Sequence, residues 1–378
     1  MGTLRLVLAI SVAYAHAGSF LGFPLVPADT AVQIFYVISG FYMALVLNEK
    51  YLPEKSSYRV FIASRFLRLY PIYATVLLLT LVPIILVATF SARDPHFLAA
   101  WRSVGPLDWW STAFLVGSQI ILLGQDWAYF LSLENGGLAF TPNYLLDAHP
   151  LYQLLVIPQA WTLGVEFSFY LIAPFIVRRS RAVIVSILAI SLSMRVVLQV
   201  LFGLEGDPWS FRFFPSELAL FLVGALGYRV YRRTGIQPNA EQYTLFCAAV
   251  FVGAALLFNR WDGAPRIAAV CFLVIACLLV PRLFKLSKAN VLDRHLGELS
   301  YPIYISHITA IWFAHFLFPS QTVLIRGSLA LFGTVMASLA LYLVIDRPVD
   351  RWRQALLHRR GVEERAAGAQ HRPAIAAT

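Results

Sequence analysis

Arg5 and His16 are the residues whose types and spacing point most directly to chemistry. Eleven residues of helix turn through about 1100°, roughly three full turns, so the two share one face about 16 Å apart along the axis. A guanidinium at a water interface grips phosphate or carboxylate, and an imidazole set in an apolar run moves protons near neutral pH. A snorkelling arginine and a packing histidine bonded to a backbone carbonyl satisfy the same spacing. Arg65 and Arg68 form a second candidate group. They are one helical turn apart and project together, directly before Pro71. Paired arginines make a phosphate clamp, and they also serve as topology anchors. The third candidate is Glu166, within an apolar and aromatic stretch from Trp161 to Tyr170. Such a setting disfavours the charged carboxylate unless it is paired, and His16 and Arg195 are the partners to test. Glu217, placed near the outer end of its span, is expected to face water. His307, one turn past Tyr304, is expected to be structural.

The elements that must position these groups are membrane helices. Of the 378 residues, 59% are hydrophobic and only 13% are charged, whereas a soluble domain has about 45–50% apolar and about a quarter charged residues. The fold class is therefore all-α: a polytopic membrane protein with about ten transmembrane helices in one bundle. The spans fall at 4–22, 30–48, 70–91, 159–177, 182–202, 214–231, 241–258, 265–281, 297–318 and 325–345. The apolar stretch 107–124 lies inside the long 92–158 loop and is read as an interfacial or re-entrant helix. Counting it as a span would invert every later loop. With ten spans, 23 of the 30 basic residues fall on the face that carries both termini and six on the other. That asymmetry places both termini in the cytoplasm. A cleaved signal peptide is the rival reading of the first span. The membrane domain covers 1–355, and the polar tail 356–378 is expected to be disordered and cytoplasmic.

Several function classes are excluded. The formal charge of +10 reports topology rather than nucleic-acid binding. Cys247, Cys271 and Cys277 lie in apolar runs as small packing residues, so no disulfide framework is expected. The histidines show no metal-ligand spacing, and no metal is expected. Phosphate-loop, dinucleotide and nucleophile-elbow motifs are missing. A transporter or flippase for a lipid-linked sugar, using His16, Arg195 and Glu166 as a proton relay, stays open on the residues alone.

Five segments in order resemble the family 3 acyltransferases, integral-membrane O-acyltransferases of bacterial polysaccharides. Arg5 with ten residues before His16 is similar to the family's Arg/Lys-x10-His. Ile34 to Phe41 resembles its Phe-Phe-x-x-Ser-Gly-Phe stretch, and Arg65 to Arg68 its Arg-x-x-Arg. Trp161 to Tyr170 resembles Trp-Ser-Leu-x-x-Glu-x-x-Phe-Tyr, and Leu299 to His307 resembles Ser-Tyr-x-x-Tyr-x-x-His. Thr162, Ser168 and Tyr36 depart from the pattern and bear on substrate preference rather than on reaction.

The resemblance implies transfer of an acyl group, usually acetyl, from cytoplasmic acyl-CoA to a sugar hydroxyl in the bacterial inner membrane. Arg5, Arg65 and Arg68 would hold the donor phosphates. His16 would act as general base or acyl carrier, with Glu166 orienting its ring. The implied partners are a polysaccharide or glycolipid acceptor, membrane lipid and polysaccharide biosynthesis machinery.

Overall fold

The computed structural model describes residues 1–23, 25–51, 58–90, 96–233 and 265–355. Eleven α-helices organise these residues: α1 Gly2–His16, α2 Ala28–Glu49, α3 Tyr58–Phe90, α4 His96–Ser103, α5 Trp109–Ile121, α6 Trp161–Ile176, α7 Arg181–Phe202, α8 Phe214–Arg233, α9 Pro265–Ser287, α10 Val291–Leu317 and α11 Val323–Leu341. A π-helical turn at Tyr342–Asp346 then carries α11 onward, so that one continuous 33-residue helix runs from Val323 to Ala355.

Among the described residues, four helices are long and apolar enough to cross a membrane: α2, α3, α7 and the Val323–Ala355 helix. Four of the ten expected spans are met by helices of this kind; the others are not confirmed as spans, although α8, α9 and α10 run 20, 23 and 27 residues. The span expected at 241–258 and the tail 356–378 lie outside the described residues.

The apolar run of the first span continues to residue 22, but α1 stops at His16. Gly18 and Ser19 follow at φ 93° and 46°, backbone that cannot extend a right-handed helix. At 15 residues, α1 reaches only about 22 Å. Pro71, expected to open the third span, instead lies within α3, whose 33 residues carry both Pro71 and Pro83. Arg65 and Arg68 therefore ride on the same rigid helix as the span. In the long loop, α5 has 13 residues, too few to cross. It is capped by Asp108 and begins with exposed Trp109 and Trp110.

The same loop holds an antiparallel hairpin that the sequence reading did not foresee, β1 Leu131–Glu134 and β2 Gly137–Phe140. Its turn residues Asn135 and Gly136 both have positive φ, 52° and 83°, as the tight turn of a two-residue hairpin requires. Arg212 pins the segment above the start of α6. Its guanidinium bonds both oxygens of Asp207 at 2.7 and 2.8 Å. It also lies 3.8 Å from the Tyr129 ring centre and 4.2 Å from that of Trp161.

Close helix approach organises the bundle. α2 packs along α8, and a Cβ on Gly40 would stand 1.9 Å from the Phe221 carbonyl oxygen. One on Gly224 would meet the Val37 oxygen at 1.9 Å. α1 packs along α10, where Gly2 and Gly297 meet backbone to backbone. Small residues of this kind let membrane helices gain dispersion contact that the apolar solvent does not otherwise drive.

Candidate active site

A cavity of about 440 Å³ opens at the end of the bundle that carries the start of α1. Arg5 from α1, Ser39 and Tyr42 from α2, Arg65 and Arg68 from α3, and Glu166 and Tyr170 from α6 line it. α10 closes the wall with Arg294, Tyr301 and Tyr304, and Lys288 stands at the rim after α9. Of the five residues expected to carry the chemistry, Arg5, Arg65, Arg68 and Glu166 thus share one wall, and His16 stands apart from it. Sequence reasoning missed Lys288 and Arg294, counting them only as topology charges. Five cations against the three lining carboxylates of Glu166, Asp293 and Glu298 leave an excess of positive charge that attracts anions.

The arginines are not equivalent. Arg68 Nη1 lies 3.6 Å from Asp346 and 3.8 Å from Asp350. Arg65 has no acidic partner within ion-pair distance among the described residues, and its buried Nε lacks a hydrogen-bond partner there. Glu166 is held differently from the expectation. Its Oε1 accepts a bond from Ser39 Oγ at 2.7 Å and another from the Tyr170 hydroxyl. Neither His16 nor Arg195 bonds it among the described residues.

Arg195 bonds Glu217 instead, Nη2 to Oε1 at 2.5 Å. Glu217 is 0% exposed, which corrects its expected placement in water. A carboxylate on α8 is buried there because a cation on α7 answers it.

His16 does not line the cavity. It is exposed at the C-terminal end of α1, not enclosed midway along a longer span. Its Nδ1 faces the Val12 carbonyl oxygen at 2.9 Å. A carbonyl only accepts, so Nδ1 carries the hydrogen and Nε2 keeps the lone pair. The ring that His16 meets is that of His307, with centroids 5.0 Å apart and planes tilted by 47°. His307 is fully buried and faces the Tyr304 carbonyl oxygen through Nδ1 at 2.5 Å. Tyr304, whose ring centre is 5.7 Å from that of His307, belongs to the cavity wall. The order is therefore cavity, Tyr304, His307, His16.

Asp293 fixes α1 at the mouth. Its carboxylate accepts from Gly2 N at 2.7 Å, and from Thr3 N and Thr3 Oγ1 at 2.8 Å each. Burial alone would raise its pKa, but hydrogen bonds from the start of α1 outweigh that and hold it well below the usual carboxylate range. The carboxylate thus satisfies orphan donors of a helix N-terminus, and it sets the depth at which Arg5 enters the cavity wall.

The residues 2–343 match the family model described as the acyltransferase domain of acyltransferase family 3. A protein of Aquifex aeolicus (strain VF5), described only as uncharacterized, is 23% identical over 210 residues, covering 53% of this chain and 90% of that protein. No solved structure matches. With nearly the whole described chain matched, this multi-pass membrane protein belongs to the family 3 acyltransferases.

Proposed function

We propose that the protein moves an acyl group, most simply acetyl, from cytoplasmic acyl-CoA to a hydroxyl of an exported or cell-surface polysaccharide or glycoconjugate in a bacterial inner membrane. The observation that carries this reading is the cavity into which Arg5, Arg65 and Arg68 converge beside Glu166. A coenzyme A thioester brings a pyrophosphate and a 3′-phosphate, and charge-assisted bonds from arginine suit them. Arg5 and Arg65 take the larger share, with Arg68 oriented by its two carboxylates. The donor's flexible arm, about 20 Å long by extended-chain reach, is comparable with the Arg5–His16 separation.

His16, exposed and holding a free Nε2 lone pair, is then the base for the acceptor hydroxyl or the carrier of the acyl group. Glu166 is better placed to order the cavity wall through Ser39 and Tyr170 than to orient His16.

The test uses membrane vesicles with acetyl-labelled acetyl-CoA. Label should reach a sugar fraction with the wild type and not with His16→Ala. Vesicles that release no coenzyme A from any acyl-CoA, with acceptor-rich extract present, would remove the reading. Such a result would favour transport of a lipid-linked sugar.

A further inference from the structure

His307 is the buried polar group that donor binding and acceptor activation leave unused. It is 0% exposed, and its Nε2 has no hydrogen-bond partner among the described residues. Buried nitrogen lone pairs are normally satisfied, because an unmade bond costs about 1–3 kcal/mol. The other nitrogen is committed: Nδ1 donates to the Tyr304 carbonyl, so Nε2 is a bare acceptor. Against it stands the imidazole of His16, at 5.0 Å between centroids. No direct bond joins the two rings in this structure, and that separation leaves room for one bridging water. His16 has the same tautomer, fixed in the same way by Val12. Two imidazoles, each with Nδ1 locked by its own helix backbone, thus leave two Nε2 lone pairs between the exposed end of α1 and the wall of the donor cavity.

We propose that His16 and His307 act as a proton-sharing pair, His307 being the positioning residue that accepts a hydrogen bond from the His16 imidazolium through that water. The inference rests on the acyltransferase reading and assigns a direction within it. The acceptor's O–H bond breaks and its proton goes to His16 Nε2 while the oxygen forms its bond to the acyl carbon. His16 Nε2–H then donates through the bridging water to the His307 lone pair, which spreads the charge over two rings. The C–S bond breaks, and the leaving thiolate takes that proton to become the free thiol. One thioester and one alcohol yield one ester and one thiol, with no other reactant. The acceptor hydroxyl and the thioester carbonyl meet on the exposed side of His16. His307 backs the His16 ring from the buried side and holds the proton there until the sulfur takes it. Among the described residues, the polar groups at the pair are the Val12 and Tyr304 carbonyl oxygens and the Tyr304 side chain on α10.

The experiment compares the wild type with His307→Asn and His307→Gln in vesicles, measuring kcat, the KM for acetyl-CoA and the thermal midpoint. Asparagine keeps a donor for the Tyr304 carbonyl, and glutamine keeps polar bulk at the far nitrogen. Neither can share a proton. Both should leave the KM within about twofold, because His307 does not line the donor cavity, and lower kcat by about 10²-fold, the low end of general acid–base effects. A kcat near the wild-type value in either folded variant overturns the inference. So does a loss of kcat that follows the thermal midpoint from one variant to the other.

The wild type supplies an independent measurement that needs no variant to fold. Rates in mixtures of H2O and D2O should bow downward, as two protons in motion require, and a straight line overturns the pair. A wild type that transfers no label fails the acyltransferase reading itself, whereas an active wild type with a straight line fails only the His16–His307 assignment.

Discussion

Arg65 and Arg68 look interchangeable in the sequence, one helical turn apart on α3, and their replacement tests whether the structure has separated their work. Arg65 lines the cavity with no carboxylate to answer it among the described residues, whereas Arg68 faces Asp346 at 3.6 Å and Asp350 at 3.8 Å. A hydrogen bond to a charged group contributes about 1.5–3 kcal/mol. Arg65→Gln should therefore raise the KM for acyl-CoA by about 10- to 150-fold. Its kcat should stay within about threefold, since phosphate binding far from the reacting carbon is the same in ground and transition states.

Arg68→Gln should act on stability. It leaves Asp346 facing the interior without its cation. Arg68 is itself 23% exposed, so the loss is about 1–2 kcal/mol rather than the larger figure for a fully buried pair. The thermal midpoint should fall, and the double variant Arg68→Gln with Asp346→Asn should regain most of it. The KM should change less than about fivefold, because the carboxylates already offset the Arg68 charge. Thiol release measured over a range of acyl-CoA concentrations reads both constants. An unchanged KM in Arg65→Gln, or equal KM effects from the two single variants, would refute the division.

The remaining tests concern how the site is held. Gly40→Leu or Gly224→Leu should abolish folded protein by size-exclusion chromatography, since a Cβ at either position would overlap a carbonyl oxygen at 1.9 Å, while Gly117→Ala, with nothing within 4 Å of its added carbon, should be at least as stable as the wild type. Asp293→Asn should lower the thermal midpoint by removing a charged helix-terminal acceptor contributing about 1 kcal/mol. The Asp293 pKa is depressed in the folded state. Its contribution is thus fully present above the ordinary value near 4 and lost as pH falls through the lowered one. The gap between wild type and variant should hold or widen as pH falls from about 9 to about 5, as the Met1 amine bonded to the same carboxylate at 2.8 Å gains its charge, and close only in stronger acid; a gap that closes between pH 7 and 5 would contradict it. Arg212→Met should expose the hairpin segment to protease and cost about 2–4 kcal/mol, because Asp207 loses both bonds and two rings lose their cation, with Asp207→Asn in the same chain restoring part of it.

What was legible in the sequence was local. The apolar composition pointed to the all-α membrane class, and charge type at a membrane surface singled out Arg5, Arg65 and Arg68, which the fold brings to one wall with Glu166. The Asn135-Gly136 pair is a turn signal for the hairpin, but four-residue strands inside a loop read for its helix at 107–124 give too short an alternation to stand out. The end of α1 was hidden for a different reason. Hydropathy runs on through Phe20 and Leu21 while the backbone turns at Gly18, and composition cannot register a change of φ. Partners across helices were out of reach altogether. Nothing in Glu166 indicates Ser39, nor does anything in Glu217 indicate Arg195. The same holds for His16 and His307. They meet because α1 lies close along α10, and it lies close because Gly2 and Gly297 have no Cβ to keep the backbones apart. A glycine in a membrane helix announces that something approaches, without saying what. The His16–His307 contact is therefore a consequence of two glycines near the far end of the same helix pair. Widening that crossing with Gly297→Val should separate the two rings and lower kcat, although neither histidine is touched, and because Gly297 also lines the donor cavity beside Arg5 it should raise the KM for acyl-CoA as well.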